Sequence, residues 1–285
     1  MLNILTIDLE DYFMVSAFEG VVKREDWDKY ESRIEHNTHR LLNILNGSFR
    51  NPQSAIRNPV RATFFCLGWV AERYPHLIRE IHQQGHEIGC HSYDHRLVYG
   101  MTPDEFREDI RKSKRLLEDA IGAEVIGYRA PSYSITKNSL WAFEVLIEEG
   151  FKYDSSIFPI RHDRYGIPGW ERFPHILQGP GQGLHEFPLS TWQVWGLNLP
   201  IAGGGYLRHL PYALTHNGIL AVNKGGHPVV IYLHPWEFDR EQPREALSPL
   251  TSFRHYHNLG EAMEKKLKLL LHNFSFAPLA QVLGV

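Results

Sequence analysis

The stretch GCHSYDHR places His91 and His95 four positions apart, directly after the short apolar run HEIGC. Two imidazoles at that spacing can reach one ion where the chain turns after a strand. A carboxylate from elsewhere would complete a two-histidine, one-carboxylate set with positions open to water, the ligand set of catalytic Zn²⁺ and Fe²⁺ sites. With 17 histidines in the chain, the same spacing also arises with no ion involved, the two rings then merely facing one way. Other residues able to move protons or hold charge stand in comparable places: Asp8, Glu10 and Asp11 follow the run NILTI, Arg129 closes VIGYR, and His234 closes VVIYLH. Each has a structural reading beside the chemical one. The acids can cap a helix at a strand–helix junction, Arg129 can pair with them, and His234 before Pro235 can end a strand.

The elements that must carry these residues are legible as an alternation. Strands are expected over 3–8, 61–68, 86–92, 125–131, 185–190 and 228–235, with segments of helical period over 33–45, 71–85, 102–122, 136–150 and 210–226. Thr102, Pro103 and Glu105 spell an N-cap, an N1 proline and a capping box, and Gly85, Gly122 and Gly150 fall where helix C-termini place glycine. Strands alternating with helices imply parallel pairing through crossovers, hence an α/β sheet or barrel. In a parallel barrel the chemistry gathers at the carboxyl ends of the strands. The candidate residues sit at those ends, remote in sequence but convergent in such a fold.

A chain of 285 residues with 43% apolar and 22% charged residues has ample material for a core, and one domain over 1–285 is expected. A net charge of −3 gives no basic excess for a nucleic-acid partner. The N-terminus MLNILTIDLEDYF has neither the basic start nor the apolar length of a signal peptide, and no run reaches the ~18 apolar residues of a membrane span. The expected location is the cytoplasm. Cys66 and Cys90 lie inside strand-like runs and read as small buried hydrophobes.

The order Asp8-x-Glu10-Asp11, then His91-Ser92-x-x-His95, then Arg129-Ala-Pro131-Ser-Tyr133, then Leu-His234-Pro resembles the polysaccharide deacetylase family, the NodB-homology or carbohydrate esterase family four, over most of the chain. That resemblance implies an α/β fold built as a distorted parallel (β/α) barrel of about seven strands, with its site at the strand C-termini. It assigns Asp8 as general base, His91 and His95 with Glu10 or, if the chain bulges, Asp11 as metal ligands, Arg129 as the residue orienting Asp8, and His234 as general acid. Asp154 in YDSSIFP is the candidate acidic partner of that histidine, and a backbone N–H near Ser132 and Tyr133 the oxyanion donor. An extra residue, Ser132, separates Pro131 from Tyr133 relative to the family's third motif. The stretches TIDLEDYF, GHEIGCHSYDH, GYRAPSYSIT, GGGYLR and YLHPWEFDREQPR are similar to the deacetylases of exopolysaccharide loci in bacteria with exosortase (PEP-CTERM) sorting systems.

The resemblance implies hydrolysis of an acetamide on an N-acetylated oligo- or polysaccharide, with a divalent ion, zinc first and cobalt, nickel or iron as alternatives. A homo-oligomer is compatible with it, and with a cytoplasmic location the substrate would be a lipid-linked or nucleotide-linked precursor at the inner membrane face. Two other readings stand beside it: an allantoinase-like hydrolase of a small cyclic amide or ureide, and a non-catalytic carbohydrate-binding relative. Trp236, with Tyr206 and the stretch STWQVWG, can be core or can stack on sugar rings. Gly203–Gly205 read as a tight turn, residues 46–60 as a surface loop, and 243–258 as an irregular cleft wall in which Arg244, His255 and His257 are within reach of a substrate or simply loop. The end of the chain reads as an amphipathic helix and a short strand or turn.

Overall fold

The computed structural model describes residues 1–47, 49–50, 57–179 and 183–284. In chain order the strands are β1 (Leu2–Leu9), β2 (Phe49–Arg50), β3 (Arg57–Asn58), β4 (Thr63–Cys66), β5 (Glu87–Cys90), β6 (Gly127–Tyr128) and β7 (Tyr153–Asp154). They continue as β8 (His175–Leu177), β9 (Leu184–Glu186), β10 (Thr191–Val194), β11 (Leu197–Pro200), β12 (Val230–Leu233) and β13 (Ser275–Ala277). The chain divides into two compact units, Met1–Thr63 with Ile201–Val285, and Phe64–Pro200.

In the first unit β1 takes two parallel partners: Ile4 pairs with Val230 of β12 and with Ala277 of β13. Every residue from Asn3 to Leu9 is buried, the pattern of a strand covered on both faces. Its polar members are satisfied internally, Thr6 Oγ1 donating to the Ile231 carbonyl at 2.9 Å and Asn3 Oδ1 accepting the Val229 N–H at 2.9 Å. The amphipathic helix expected near the C-terminus spans Glu261–Asn273. From it Lys266 reaches the carbonyls of Leu207, Arg208 and Leu210 at 2.7, 2.9 and 2.9 Å, a cation on the C-terminal end of the helix Gly204–His209. The loop expected over 46–60 lies largely outside the described residues; its described parts pair antiparallel as β2 and β3.

The triple glycine begins a helix rather than a free turn, and its first member has a specific duty. Gly203 bridges Tyr232 of β12 with φ at 126°, and a Cβ there would stand 2.0 Å from the Tyr232 carbonyl oxygen. Left-handed strain of about 1–3 kcal/mol adds to that overlap with backbone. Gly203→Ala is therefore expected to lower the thermal unfolding midpoint by ~5 °C or more. Gly205→Ala, whose nearest atom would be Arg208 Nη2 at 3.8 Å, serves as the control and should leave the midpoint unchanged or higher.

In the second unit β5, β6, β7 and β9 run parallel, in the register Cys90 to Tyr128, Tyr128 to Asp154 and Asp154 to Glu186, and β8 pairs antiparallel to β9. The helical segment expected over 71–85 is two helices, Gly68–Arg73 and Pro75–Gln83, because a proline ring cannot continue the first and suits the N1 position of the second. The capping box is present at Thr102 and Glu105, starting the helix Pro103–Ile121. The stretch STWQVWG forms most of the hairpin β10–β11, turned by Trp195 and Gly196, both at positive φ as a two-residue hairpin loop requires.

Candidate active site

The register of β1 against β12 ends at Ile7 opposite Leu233, so the next residues, Asp8 and His234, leave their strands side by side. His234 Nε2 stands 3.9 Å from Asp8 Oδ2 and 3.5 Å from Glu10 Oε1. Asp8 and Glu10 thus present their carboxylates to one side. At the other ring nitrogen, Glu237 Oε2 lies 3.3 Å from His234 Nδ1 and also accepts the His234 backbone N–H at 3.0 Å. Arg208 Nε donates to Glu237 Oε1 at 2.7 Å. Burial would drive the His234 imidazole toward its neutral form, but Glu237, then Glu10 and Asp8, outweigh it and raise its pKa to about 9. Glu237 is itself buried, yet His234 and Arg208 hold its carboxyl below the usual range.

The acidic partner of His234 is therefore Glu237, not Asp154. Sequence reasoning passed over Glu237, although the signal was present: an acid three residues beyond a histidine and proline at a strand end has capping-box spacing. Asp154 is taken up elsewhere, accepting the Ser156 N–H at 2.9 Å and hydroxyl at 2.6 Å, and lies in register with Glu186. Burial raises the Asp154 carboxyl; burial and the Asp154 charge raise Glu186 further, so Glu186 carries the proton of the pair. Asp11 is also committed. It caps the turn Tyr12–Met14, taking the Tyr12 N–H at 2.9 Å, the Ser32 hydroxyl at 2.9 Å and the Arg33 N–H at 2.8 Å, which leaves Glu10 as the carboxylate that faces His234.

In the second unit His91 and His95 flank a loop that leaves β5. Ser92 and His95 adopt left-handed backbone, φ 63° and 61°, and the two rings lie 5.6 Å apart. His91 Nδ1 is 2.7 Å from the Arg129 carbonyl, so the proton sits on Nδ1 and Nε2 is the nitrogen left able to ligate. Arg129 is fully buried, its guanidinium donating to Ser155 O at 3.0 Å and Ser155 Oγ at 2.9 Å and lying 4.3 Å from the Phe65 ring centre. Glu10 in the first unit, and His91 and His95 in the second, are all buried, and each carries a side-chain donor of a type that suits a divalent ion.

Two residues expected at the substrate are differently engaged. The Tyr133 N–H donates to the Ala130 carbonyl at 3.0 Å, closing a turn in which Ser132 and Tyr133 both have positive φ, and its ring is buried against Phe158 and Tyr165. Trp236 is buried too. Its Nε1 donates to Glu10 Oε1 at 3.3 Å and its ring stacks on His234 and His255, so it orients the carboxylate instead of offering a face to a sugar. His255 lies within that stack, held neutral by burial, its pKa pushed down to about 3. Arg244 lies over the Tyr256 ring and His257 stacks on His209.

Residues 55–146 match the family model described as polysaccharide deacetylase, and residues 155–284 match a domain of unknown function, DUF3473. A peptidoglycan-N-acetylglucosamine deacetylase of Bacillus cereus is 38% identical over 86 residues, 30% of this chain and 31% of that protein. A peptidoglycan deacetylase of Helicobacter pylori is 33% identical over 120 residues, 41% of this chain and 40% of that protein. The chain thus spans less than half the length of these two relatives. A solved structure from Mycobacterium smegmatis is similar over 99% of this chain and 89% of its own, with a TM-score of 0.62 at 21% identity, and shows the α/β, parallel-stranded fold expected from the alternation of elements. The polysaccharide deacetylase model and these curated relatives thus match part of the chain, and the solved structure shares its fold.

Proposed function

We propose that this chain is a metal-dependent hydrolase that removes N-acetyl groups from an N-acetylated saccharide. The observation that carries the reading is the imidazole pair within the second unit, two buried rings 5.6 Å apart with the His91 tautomer fixed by the Arg129 carbonyl. Neutral imidazoles and a carboxylate suit zinc, and also cobalt, nickel or iron. A divalent ion held by Glu10, His91 and His95 would polarise the acetamide carbonyl and make water more acidic. The chain's own groups supply the proton transfers: Asp8 accepts the proton of the attacking water, and His234, kept protonated by Glu237, delivers one to the departing nitrogen. Arg129 contributes a fixed positive charge. The products are acetate and a free amino sugar.

The reading extends to a single catalytic domain over 1–285, to an exopolysaccharide or its precursor as substrate, to the exosortase-associated subgroup, and to the cytoplasmic face of the membrane; the support is the matching motifs. The test is acetate release from N-acetylated oligosaccharides by the zinc-loaded protein, with a cyclic ureide as the competing substrate. Acetate from the sugar and no turnover of the ureide is expected. Ureide hydrolysis without acetate would move the assignment to the allantoinase-like class, and binding without turnover to the carbohydrate-binding one.

A further inference from the structure

The loop that carries His91 and His95 is held in a shape its residues do not favour by themselves. Ser92 and His95 both sit in the left-handed region, a conformation that costs a non-glycine residue on the order of 1 kcal/mol or more and persists only where the surroundings impose it. The surroundings are specific. The helix Gly68–Arg73 donates its first two N–H groups, from Gly68 and Trp69, to the carbonyls of Ser92 and Tyr93, each at 2.8 Å. Ser92 Oγ meets the Tyr128 hydroxyl at 2.8 Å. A further hold is Asp109, whose two carboxylate oxygens share the Tyr93 N–H at 3.0 and 3.2 Å.

We infer that Asp109 is a positioning residue for the metal: by gripping the amide at the centre of the His91–His95 loop, it fixes the separation and aim of both imidazoles. The inference rests on the metal reading above. Asp109 stands in the middle of the helix Pro103–Ile121, anchored at its start by the Thr102–Glu105 capping box, so the carboxylate is presented from a rigid element. The helices around it are tightly fitted: a Cβ on Gly68 would meet Ser113 Oγ at 2.7 Å and Tyr93 Cδ2 at 2.9 Å. Burial, with the Asp94 charge, pushes the Asp109 carboxyl up to about 7 against the hydrogen bonds from Tyr93 and Ser92. An acid in so unfavourable a place is explained by what it holds. Tyr93 has outer contacts too, its hydroxyl donating to Glu72 at 2.6 Å and Lys112 lying 3.3 Å from its ring centre, but these grip the side chain and not the loop backbone.

The experiment is zinc affinity by competition with a chromophoric chelator, with the visible spectrum of the cobalt form as a second readout. Asp109→Ala should weaken zinc binding about 10–100-fold, the range for residues that orient metal ligands, and alter the cobalt spectrum. At saturating metal kcat should recover, with KM unchanged. Asp109→Asn keeps an acceptor for the Tyr93 amide and should restore most of the affinity. Glu72→Gln, which loosens only the tyrosine side chain, should bind zinc like the parent. Asp109→Ser, too short to reach the amide, replaces the alanine variant if that chain does not fold. Parental zinc affinity and spectrum in the alanine or serine variant overturn the inference, as does an asparagine variant as weak as alanine. A parent chain that binds no zinc overturns the metal reading and this inference with it, so the two failures are told apart by the parent alone.

Discussion

Replacing His91 and His95 together by alanine is expected to abolish metal binding and to reduce acetate release by more than about 100-fold, beyond the effect of changing an orienting residue. The chain should remain folded. Both histidines follow β5, and the backbone contacts that hold the strand and loop, from Cys66 O to the His91 N–H at 3.0 Å and from Cys90 O to the Arg129 N–H at 2.9 Å, do not involve the imidazoles. The loss should therefore appear in metal content by elemental analysis and in turnover, with the far-ultraviolet circular dichroism unchanged. Single variants should separate the two ligands. His91→Ala also removes the hydrogen bond to the Arg129 carbonyl, so its cost includes that contact, whereas His95→Ala reports ligation more directly. A double variant that keeps one metal per chain and full turnover would leave the pair as mere neighbours and remove the basis of the hydrolase reading.

How much of this was legible in the sequence follows from what kind of signal each feature leaves. The strand ends were legible because a parallel strand buried on both faces is a continuous apolar run, and the residue that ends it stands out: Asp8 after β1, His91 after β5, His234 after β12. The helix Pro103–Ile121 announced its own start. What was not legible was set by pairings distant in sequence or by local turn chemistry. Glu10 and Asp11 are adjacent acids with equal claims until Ser32 and Arg33, some twenty residues away, take up the Asp11 oxygens. Asp154 looked available until Glu186 on the neighbouring strand was placed beside it. Trp236 had to be core or platform, and it is neither alone: it is buried and aimed at Glu10. The hairpin β10–β11 escaped because its turn is Trp195–Gly196, an aromatic residue in a left-handed position where asparagine is usual.

Glu237→Gln is expected to move the alkaline limb of the kcat/KM profile to lower pH. The imidazole of His234 lies between Glu237 on one side and Asp8 and Glu10 on the other. Burial opposes its charge; the three carboxylates, Glu237 foremost, overcome burial and raise it to about 9 from an ordinary value of 6.5. The sign follows. A group whose folded pKa is raised is most stabilising in its protonated form, so this contribution is complete below pH 6.5 and fades as pH rises through 9. The proton needed by the leaving nitrogen is lost over the same range. Glutamine can keep an acceptor oxygen on the His234 N–H while deleting the charge; its amide nitrogen then faces the Arg208 Nε donor, so the change also costs that hydrogen bond. Removing an adjacent opposite charge lowers such a pKa by roughly 1–3 units; a shift of about two units would reduce kcat/KM near pH 8 about tenfold while leaving the rate near pH 6 close to the parent's. The pH dependence of the thermal midpoint should flatten over the same interval, a check that needs no substrate. His255 does not complicate the profile, because burial keeps it neutral throughout. His234→Gln, which removes the proton donor itself, should cost about 10²–10⁴-fold and abolish the alkaline limb. An alkaline limb that stays in place in Glu237→Gln would mean that a group other than His234 delivers the proton.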